Sequence, residues 1–389
     1  MKILFFQNGD FGEAYRRLQE GGLETYRDQR ASVDFVASLQ SQYVVTTVAV
    51  CSRDHKDDLD NNLRSIGISV DSAYRQEYLF RLLDDIGPDL IVCRTPNYQA
   101  IKWAKWRAVP TLLAFADFFS NNNLRNFLRN VALRALLEAR VFPCVANHNL
   151  NASISVSKAL FYPRARIVPW DWSRLSVRDI PKTAPADANR PSAFFAGVLT
   201  DEKGVGDCLE AVSLLQKRGI NLTLEFAGPG NVERWRARAA ELGVGDQVKF
   251  LGLIPNTTVR QRMIENDIVV VPSRHDYAEG LPNTIYEALA SRTPLVISDH
   301  PAFASRLRNG ENCLIFRAAD KSSLADQITT LLTDVALFRR LSTKSADAHN
   351  SLYFGIDWLH LVSAFLNDPQ NRSGWVETNS LARMEGRLT

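Results

Sequence analysis

The 389-residue chain holds five cysteines, and their placement excludes more than it suggests. Cys51, Cys93, Cys144, Cys208 and Cys313 are odd in number and widely scattered, and no C-x-x-C pair or His/Cys cluster suggests a metal. A disulfide framework is therefore not expected, and reduced thiols in a cytoplasmic protein are. Long apolar runs are missing too. No window approaches the ~20 uninterrupted apolar residues that span a bilayer. The opening "MKILFFQNGDFGEAYRR" has too short an apolar stretch for a signal-peptide core and reads as a first strand. With 46% hydrophobic, 10% aromatic and 23% charged residues, the chain has ample core material, and disorder is not indicated. It is too long for one core, since single cores stop growing at roughly 250–300 residues.

Acidic residues are scarce in one region. The net charge is only +3, but residues 94–182 carry 14 Lys and Arg against 4 Asp and Glu, a local balance of +10. Such asymmetry points to an acidic partner near this region.

Apolar runs without alternation mark buried parallel strands. "KILFF" (2–6), "YVVTTVAV" (43–50), "PDLIVC" (88–93) and "VPTLLAFA" (109–116) occur in the first half, separated by helical or polar stretches. "SAFFAGVL" (192–199), "LTLEFAG" (222–228), "QVKFLG" (247–252), "DIVVVPS" (267–273) and "PLVIS" (294–298) repeat the theme. Alternating strands and helices imply two α/β, doubly wound, Rossmann-like domains. The expected boundaries are 1–178, a polar proline-containing linker at 179–191, a second domain at 192–350, and 351–389 as a helix returning to the first domain followed by a mobile tail. Ligands of open parallel sheets bind beyond the carboxyl ends of the strands. With two such domains facing each other, the site is expected in a cleft.

One stretch concentrates chemistry. "HDYAEGLPNTIYEALASRTPLVIS" (275–298) holds Glu279 and Glu287 on either side of a Gly-Leu-Pro-Asn-Thr turn. Gly280 and Pro282 prevent a continuous helix, so Glu279 belongs to a loop and the helix begins near Pro282. The amide N–H groups of residues 283–285 would then favour an anion. A phosphate between hydroxyl-rich rings, as in a nucleotide sugar, suits two carboxylates flanking an anion site.

The stretch "EGLPNTIYEALASRTPLVIS" resembles the Glu-x7-Glu signature of retaining GT-B glycosyltransferases of family 4. "AGVLTDEKG" (196–204), "LEFAGPG" (224–230), "VKFLGLIP" (248–255) and "DIVVVPS" follow in that family's order and at about its spacing. The likeness covers residues 190–350 well and the first half in outline. It implies a GT-B fold and a hexosyltransferase using a nucleotide-diphosphate sugar as substrate, with no cofactor and no metal. It implies that Glu279 holds hydroxyls of the transferred sugar, Glu287 the ribose hydroxyls, and the backbone at Gly280, Leu281, Asn283 and Thr284 the diphosphate. Gly197 would lie against the donor, and Lys203 would neutralise the leaving diphosphate. Gly21-Gly22 resembles the family's glycine-rich loop, which makes Gly22 a donor-side candidate.

Departures from the family pattern carry their own expectations. The family usually has Arg directly after the glycine of "AGV", where this chain has Val198. Arg274 is a candidate replacement. In "AFADFF" the family's usual histidine is Ala116, leaving Asp117, with His148 as a second candidate on the acceptor side. "DLD" (58–60) lies in a solvated polar run and is not read as a metal site. In "NLRNFLRNVALRALLEAR" (123–140), Leu124, Phe127, Leu128, Val131 and Ala135 share one helix face, with Arg125, Arg129 and Arg140 elsewhere. That face suits either core packing or an anionic membrane. The expected partners are a nucleotide-diphosphate sugar, a sugar, glycan or lipid-linked acceptor, and the inner face of a membrane, but no nucleic acid. A nucleotide-sugar epimerase of the same fold, or a binding protein derived from a transferase, are the alternatives.

Overall fold

In the computed structural model, which describes residues 1–51, 54–277, 280–303 and 306–385, the run "KILFF" becomes an interior strand of the first sheet. The chain divides into two compact units: residues 1–24, 28–173 and 354–389, and residues 25–27 and 174–353.

Among the described residues, the first unit's sheet has nine strands. They are β1 (Lys2–Asn8), β2 (Val44–Val50), β3 (His55–Asp60), β4 (Leu63–Ile68), β5 (Leu90–Cys93), β6 (Thr111–Phe115), β7 (Val145–His148), β8 (Ile167–Asp171) and the short Ile356–Asp357. Their order is Ile356–Asp357, β8, β7, β6, β5, β1, β2, β4, β3. Burial on both faces explains the near-continuous apolar runs. β1 has an interior that is buried along its length, with Leu4 and Phe6 in one core and Ile3 and Phe5 in another. The polar run at 55–60 is a correction to the sequence reading. "HKDDLD" forms β3, which pairs antiparallel with β4 at the sheet edge. Its alternating exposure is that of a strand with one wet face, which a search for apolar runs overlooks.

The second unit's sheet is parallel, in the order β11, β10, β9, β12, β13, β14. The strands are β9 (Ser192–Ala196), β10 (Thr223–Ala227), β11 (Val248–Gly252), β12 (Ile268–Val271), β13 (Leu295–Ser298) and β14 (Leu314–Phe316). The stretch 179–191 is strapped to this unit and is no free tether. The Lys182 N–H donates to Ser342 Oγ at 2.7 Å, and the Ala186 and Ser192 N–H groups donate to the Asp267 carboxylate at 2.7 and 2.8 Å. Loss of water pushes the Lys182 ammonium down to about 8.

The chain crosses between the units beside residues 25–27, 174 and 353. Each crossing is tied to Tyr353. Its hydroxyl accepts from Leu175 N at 3.0 Å and Arg27 Nη1 at 3.4 Å, and lies 3.2 Å from His349 Nε2. The guanidinium groups of Arg27 and Arg174 sit 5.7 and 5.4 Å from its ring. Burial, followed by repulsion from Arg27, Arg174 and Arg260, lowers His349 to about 4. The imidazole is therefore neutral near pH 7, which lets its Nε2 accept from the tyrosine hydroxyl.

The last residues pack rather than dangle. Trp375, Val376 and Leu381 are buried in the first unit, through two short helices, Trp375–Thr378 and Leu381–Glu385. The expected mobile tail is corrected to this extent. Three large apolar side chains spread over seven positions leave no visible periodicity, yet they suffice for docking.

Candidate functional site

The second unit contains a cavity of about 420 Å³. It opens at the carboxyl ends of β9, β10 and β11 and the start of the helix Asn283–Ala290, where ligands of parallel sheets bind. Its lining brings together Gly197, Asn283, Thr284 and Glu287 from the sequence-derived candidates, and it includes Val198, where the family's usual arginine is missing. Two backbone features shape its floor. Gly228 has φ 144°, and a Cβ there would stand 1.9 Å from the Gly197 carbonyl oxygen, so no other residue fits. The Thr284 hydroxyl donates to the Ala196 carbonyl at 3.2 Å, which pins the helix start to the end of β9.

The helix begins after Pro282, whose φ of −70° suits helix entry. Ile285, Tyr286, Ala288 and Leu289 are buried, which fixes the helix against the sheet. The Ile285 N–H is bonded to the Pro282 carbonyl at 3.0 Å. That corrects the expected set of three available amides to Asn283 and Thr284. Glu287, 4% exposed, faces the cavity and accepts a 2.6 Å hydrogen bond from Asn256 Nδ2. Leu281 is buried and Gly280 half-buried, while Glu279 lies outside the described residues.

Lys203 is buried, with Nζ 3.3 Å from Ser273 Oγ and 4.8 Å from the centre of the Tyr277 ring. A Cβ on Gly197 would lie 3.6 Å from its Cε, so this ammonium runs alongside a cavity-lining residue. Arg274 is engaged elsewhere. Its Nε and Nη2 donate to the buried Asp207 carboxylate at 2.8 and 2.7 Å, and the pair lines a separate, charged depression of about 870 Å³. A bidentate pair with one buried partner is costly to break. Arg274 is thus not the replacement for the arginine missing at Val198. The depression is larger, but its charges are satisfied by one another, as in the Arg238–Glu210 and Arg234–Asp201 pairs. The smaller, more apolar cavity with a few convergent polar groups is the better ligand site.

In the first unit, Asp117 and His148 lie at the carboxyl ends of the neighbouring strands β6 and β7. Asn147 joins them, donating from Nδ2 to the Asp117 carbonyl at 2.9 Å and accepting from the His148 N–H at 3.0 Å. His148 is buried, with Nε2 3.2 Å from Asp171 Oδ1 and its ring 4.8 Å from that of Trp170. Asp117 has exposed surface, yet enough protein surrounds its carboxyl that lost hydration lifts it to about 6. Gly22 closes the helix Phe11–Gln19, its N–H bonded to the Arg17 carbonyl at 2.8 Å.

Sequence reasoning missed Asn256 and the segment Thr25–Arg27, all of which line the cavity. Asn256 follows "VKFLGLIP" directly, so a polar residue just past a strand's carboxyl end was its only signal. Arg27 left none, because its place beside the Tyr286 ring, 4.8 Å from the guanidinium, depends on a contact across more than 250 residues.

Residues 176–347 match the family model of glycosyl transferases group 1. The chain is 28% identical over 185 residues to a glycogen synthase of Mycobacterium tuberculosis, covering 47% of this chain and 42% of that protein. It is 30% identical over 160 residues to a phosphatidyl-myo-inositol mannosyltransferase of Mycobacterium leprae, covering 41% and 39%. The aligned region thus spans less than half the length of these relatives. Among solved structures, sucrose-phosphate synthase of Thermosynechococcus elongatus superposes with a TM-score of 0.65 at 16% identity, covering 94% of this chain and 98% of the other. Anabaena HepE in complex with UDP gives 0.64 at 15% identity, covering 94% and 99%. Residues 176–347 therefore carry a glycosyl transferases group 1 domain, within a chain of GT-B fold.

Proposed function

We propose that the protein is a retaining, metal-independent glycosyltransferase of family 4, moving a sugar from a nucleotide-diphosphate sugar to an acceptor hydroxyl in surface polysaccharide or glycolipid assembly. The observation that carries this reading is the cavity with Glu287 at one wall and the start of the helix Asn283–Ala290 at another. A carboxylate takes hydroxyl donors, and helix-start amides take a phosphate.

In this reading Glu287 accepts from the ribose hydroxyls, and Asn256 fixes its orientation. The Asn283 and Thr284 amides hold the diphosphate, while Lys203 stabilises the charge that grows as the sugar–phosphate bond breaks. Leu253 and Ile254, which also line the cavity, give the base an apolar wall. Glu279 holds the hydroxyls of the sugar being transferred. The acceptor oxygen attacks from the face the diphosphate leaves, and its proton passes to the departing phosphate oxygen. The protein's share is positioning and charge stabilisation.

The acceptor side belongs to the first unit, with Asp117 and His148 as candidates. The helix Leu124–Leu137 supports a peripheral membrane role. Leu124, Phe127, Leu128 and Val131 are exposed on one face, with Arg125 and Arg129 beside them, an arrangement suited to anionic lipid. No helix among the described residues is long and apolar enough to cross a membrane.

The test is donor hydrolysis. The chain is incubated with a panel of nucleotide sugars headed by UDP-glucose, released nucleotide diphosphate is quantified, and Glu279→Ala is run alongside. Release from one donor that persists with a chelator and disappears in the variant is the expected result. Tight binding of one nucleotide sugar with no turnover in the presence of any glycan or lipid acceptor would overturn the transferase reading. The anomeric configuration of the product, read by NMR, tests retention.

A further inference from the structure

At the carboxyl ends of β1 and β2, three side chains from separate elements converge. Asp10 follows β1, Cys51 follows β2, and His55 opens β3. A carboxylate oxygen, the sulfur and an imidazole nitrogen all lie within 4.8 Å of one another. Asp57, two positions along β3 and therefore on the same face, places Oδ2 3.9 Å from His55 Nε2. We infer that Asp10, Cys51 and His55 form a site for a divalent transition cation, zinc foremost, with Asp57 as its flanking carboxylate.

The geometry suits that ion. Tetrahedral zinc holds sulfur at ~2.3 Å and nitrogen or oxygen at ~2.0–2.2 Å, which puts ligand atoms about 3.3–3.8 Å apart. The His55 Nε2 to Asp10 Oδ1 separation is already 3.5 Å. Closing the remaining distances takes side-chain movement of about 1 Å, within reach of Cys and Asp rotamers. A thiolate with an imidazole selects zinc over magnesium and calcium, which prefer all-oxygen sites. The His55 side chain is only 5% exposed, and on binding a cation its Nε2 would give up the 3.3 Å contact with Ser65 Oγ.

The same groups also take part in an ordinary polar network. Asp10 Oδ1 accepts from the Glu13 N–H at 2.9 Å as a helix cap, and Arg16 reaches Asp57 at 2.9 Å. A carboxylate offers about four lone-pair sites, so the helix cap on Asp10 Oδ1 does not bar it from ligating a cation. The sequence concealed the site because Asp10 stands 41 positions before Cys51. Cys51 also differs from the other four cysteines in being half-buried where they are buried. The bound cation would clamp the loop after β1 and the start of the edge strand β3 to the end of β2. It belongs to the first unit and takes no part in the proposed transfer, so its test is independent of that reading.

The experiment uses the full chain freed of metal and titrated with cobalt(II), then with zinc(II). The expected result is one cobalt per chain with a thiolate charge-transfer band, displaced by zinc, together with a zinc-dependent rise in Tm. Cys51→Ser removes the band. His55→Gln, which keeps a polar partner for Ser65, weakens binding by more than about tenfold. Absence of the band in the parent chain, a band that persists in Cys51→Ser, or affinity unchanged in His55→Gln overturns the assignment. Should Cys51→Ser fail to fold by circular dichroism, the parent titration and His55→Gln still decide it.

Discussion

The helix Asn283–Ala290 of the second unit and the helix Leu124–Leu137 of the first both carry apolar residues at helical spacing, and the fold treats them oppositely. In the former, Ile285, Tyr286, Ala288 and Leu289 are buried. In the latter, Leu124 is 71% exposed, and Phe127, Leu128 and Val131 are also exposed, while Asn130, Leu133, Leu136 and Leu137 face the core. The longer helix has two apolar stripes, and the one conspicuous in the sequence is the wet one. Periodicity finds an amphipathic helix, but it does not say which stripe the core takes. A spare apolar stripe flanked by arginines is material for a surface role, whereas a short helix buried all round behind its first turn positions a site.

The strongest test of this contrast attacks the backbone-built site. Gly228→Ala places a Cβ against the Gly197 carbonyl, and a loss of more than about 3 kcal/mol in stability is expected by thermal or urea denaturation. Acid comes next. His349 is neutral in the fold, with its value lowered from 6.5 to about 4. The unfolded chain takes up its proton first as pH falls, so stability present above pH 6.5 is lost down to about 4, on the order of 3 kcal/mol. His349→Gln should flatten Tm against pH across that window, and an unchanged slope would show that the Tyr353 knot is not the sensitive element.

Glu287→Gln removes charge from the cavity wall without changing its shape. Donor affinity should fall about ten- to a hundredfold in calorimetry, with Tm little changed. Phe127→Ser combined with Leu128→Ser strikes the exposed stripe. Binding to anionic vesicles should fall at least about tenfold, with donor affinity intact. If vesicle binding were equal in the two proteins, the stripe would have no membrane role. The smallest effect on the site is expected from Arg274→Ala. Donor affinity should stay within about twofold, while stability drops by about 1–3 kcal/mol because Asp207 is left buried and unpaired.

Much of the second unit was legible because its constraints are local. Strand, glycine turn and helix start follow one another within a few residues, so "FAG", "LEFAGPG" and "GLPNTIYEALA" carry the cavity in their order. Arg274 misled because nearness to Glu279 in sequence says nothing of a partner 67 positions away in Asp207. The edge strand β3 was hidden for a different reason. A strand with one wet face and five charged or imidazole side chains in six residues resembles a loop until β4 is seen to pair with it.

By itself the sequence determined two parallel-sheet units, the place of the helix start at residue 283 and the glycines beneath it, because backbone requirements leave their mark within short stretches. Only the tertiary structure decided which stripe of the helix Leu124–Leu137 is buried, that Arg274 belongs to Asp207, that Asn256 meets Glu287, and that Asp10, Cys51 and His55 converge. Each of these depends on side chains far apart in the chain, and their meeting is set by packing rather than by local conformational preference.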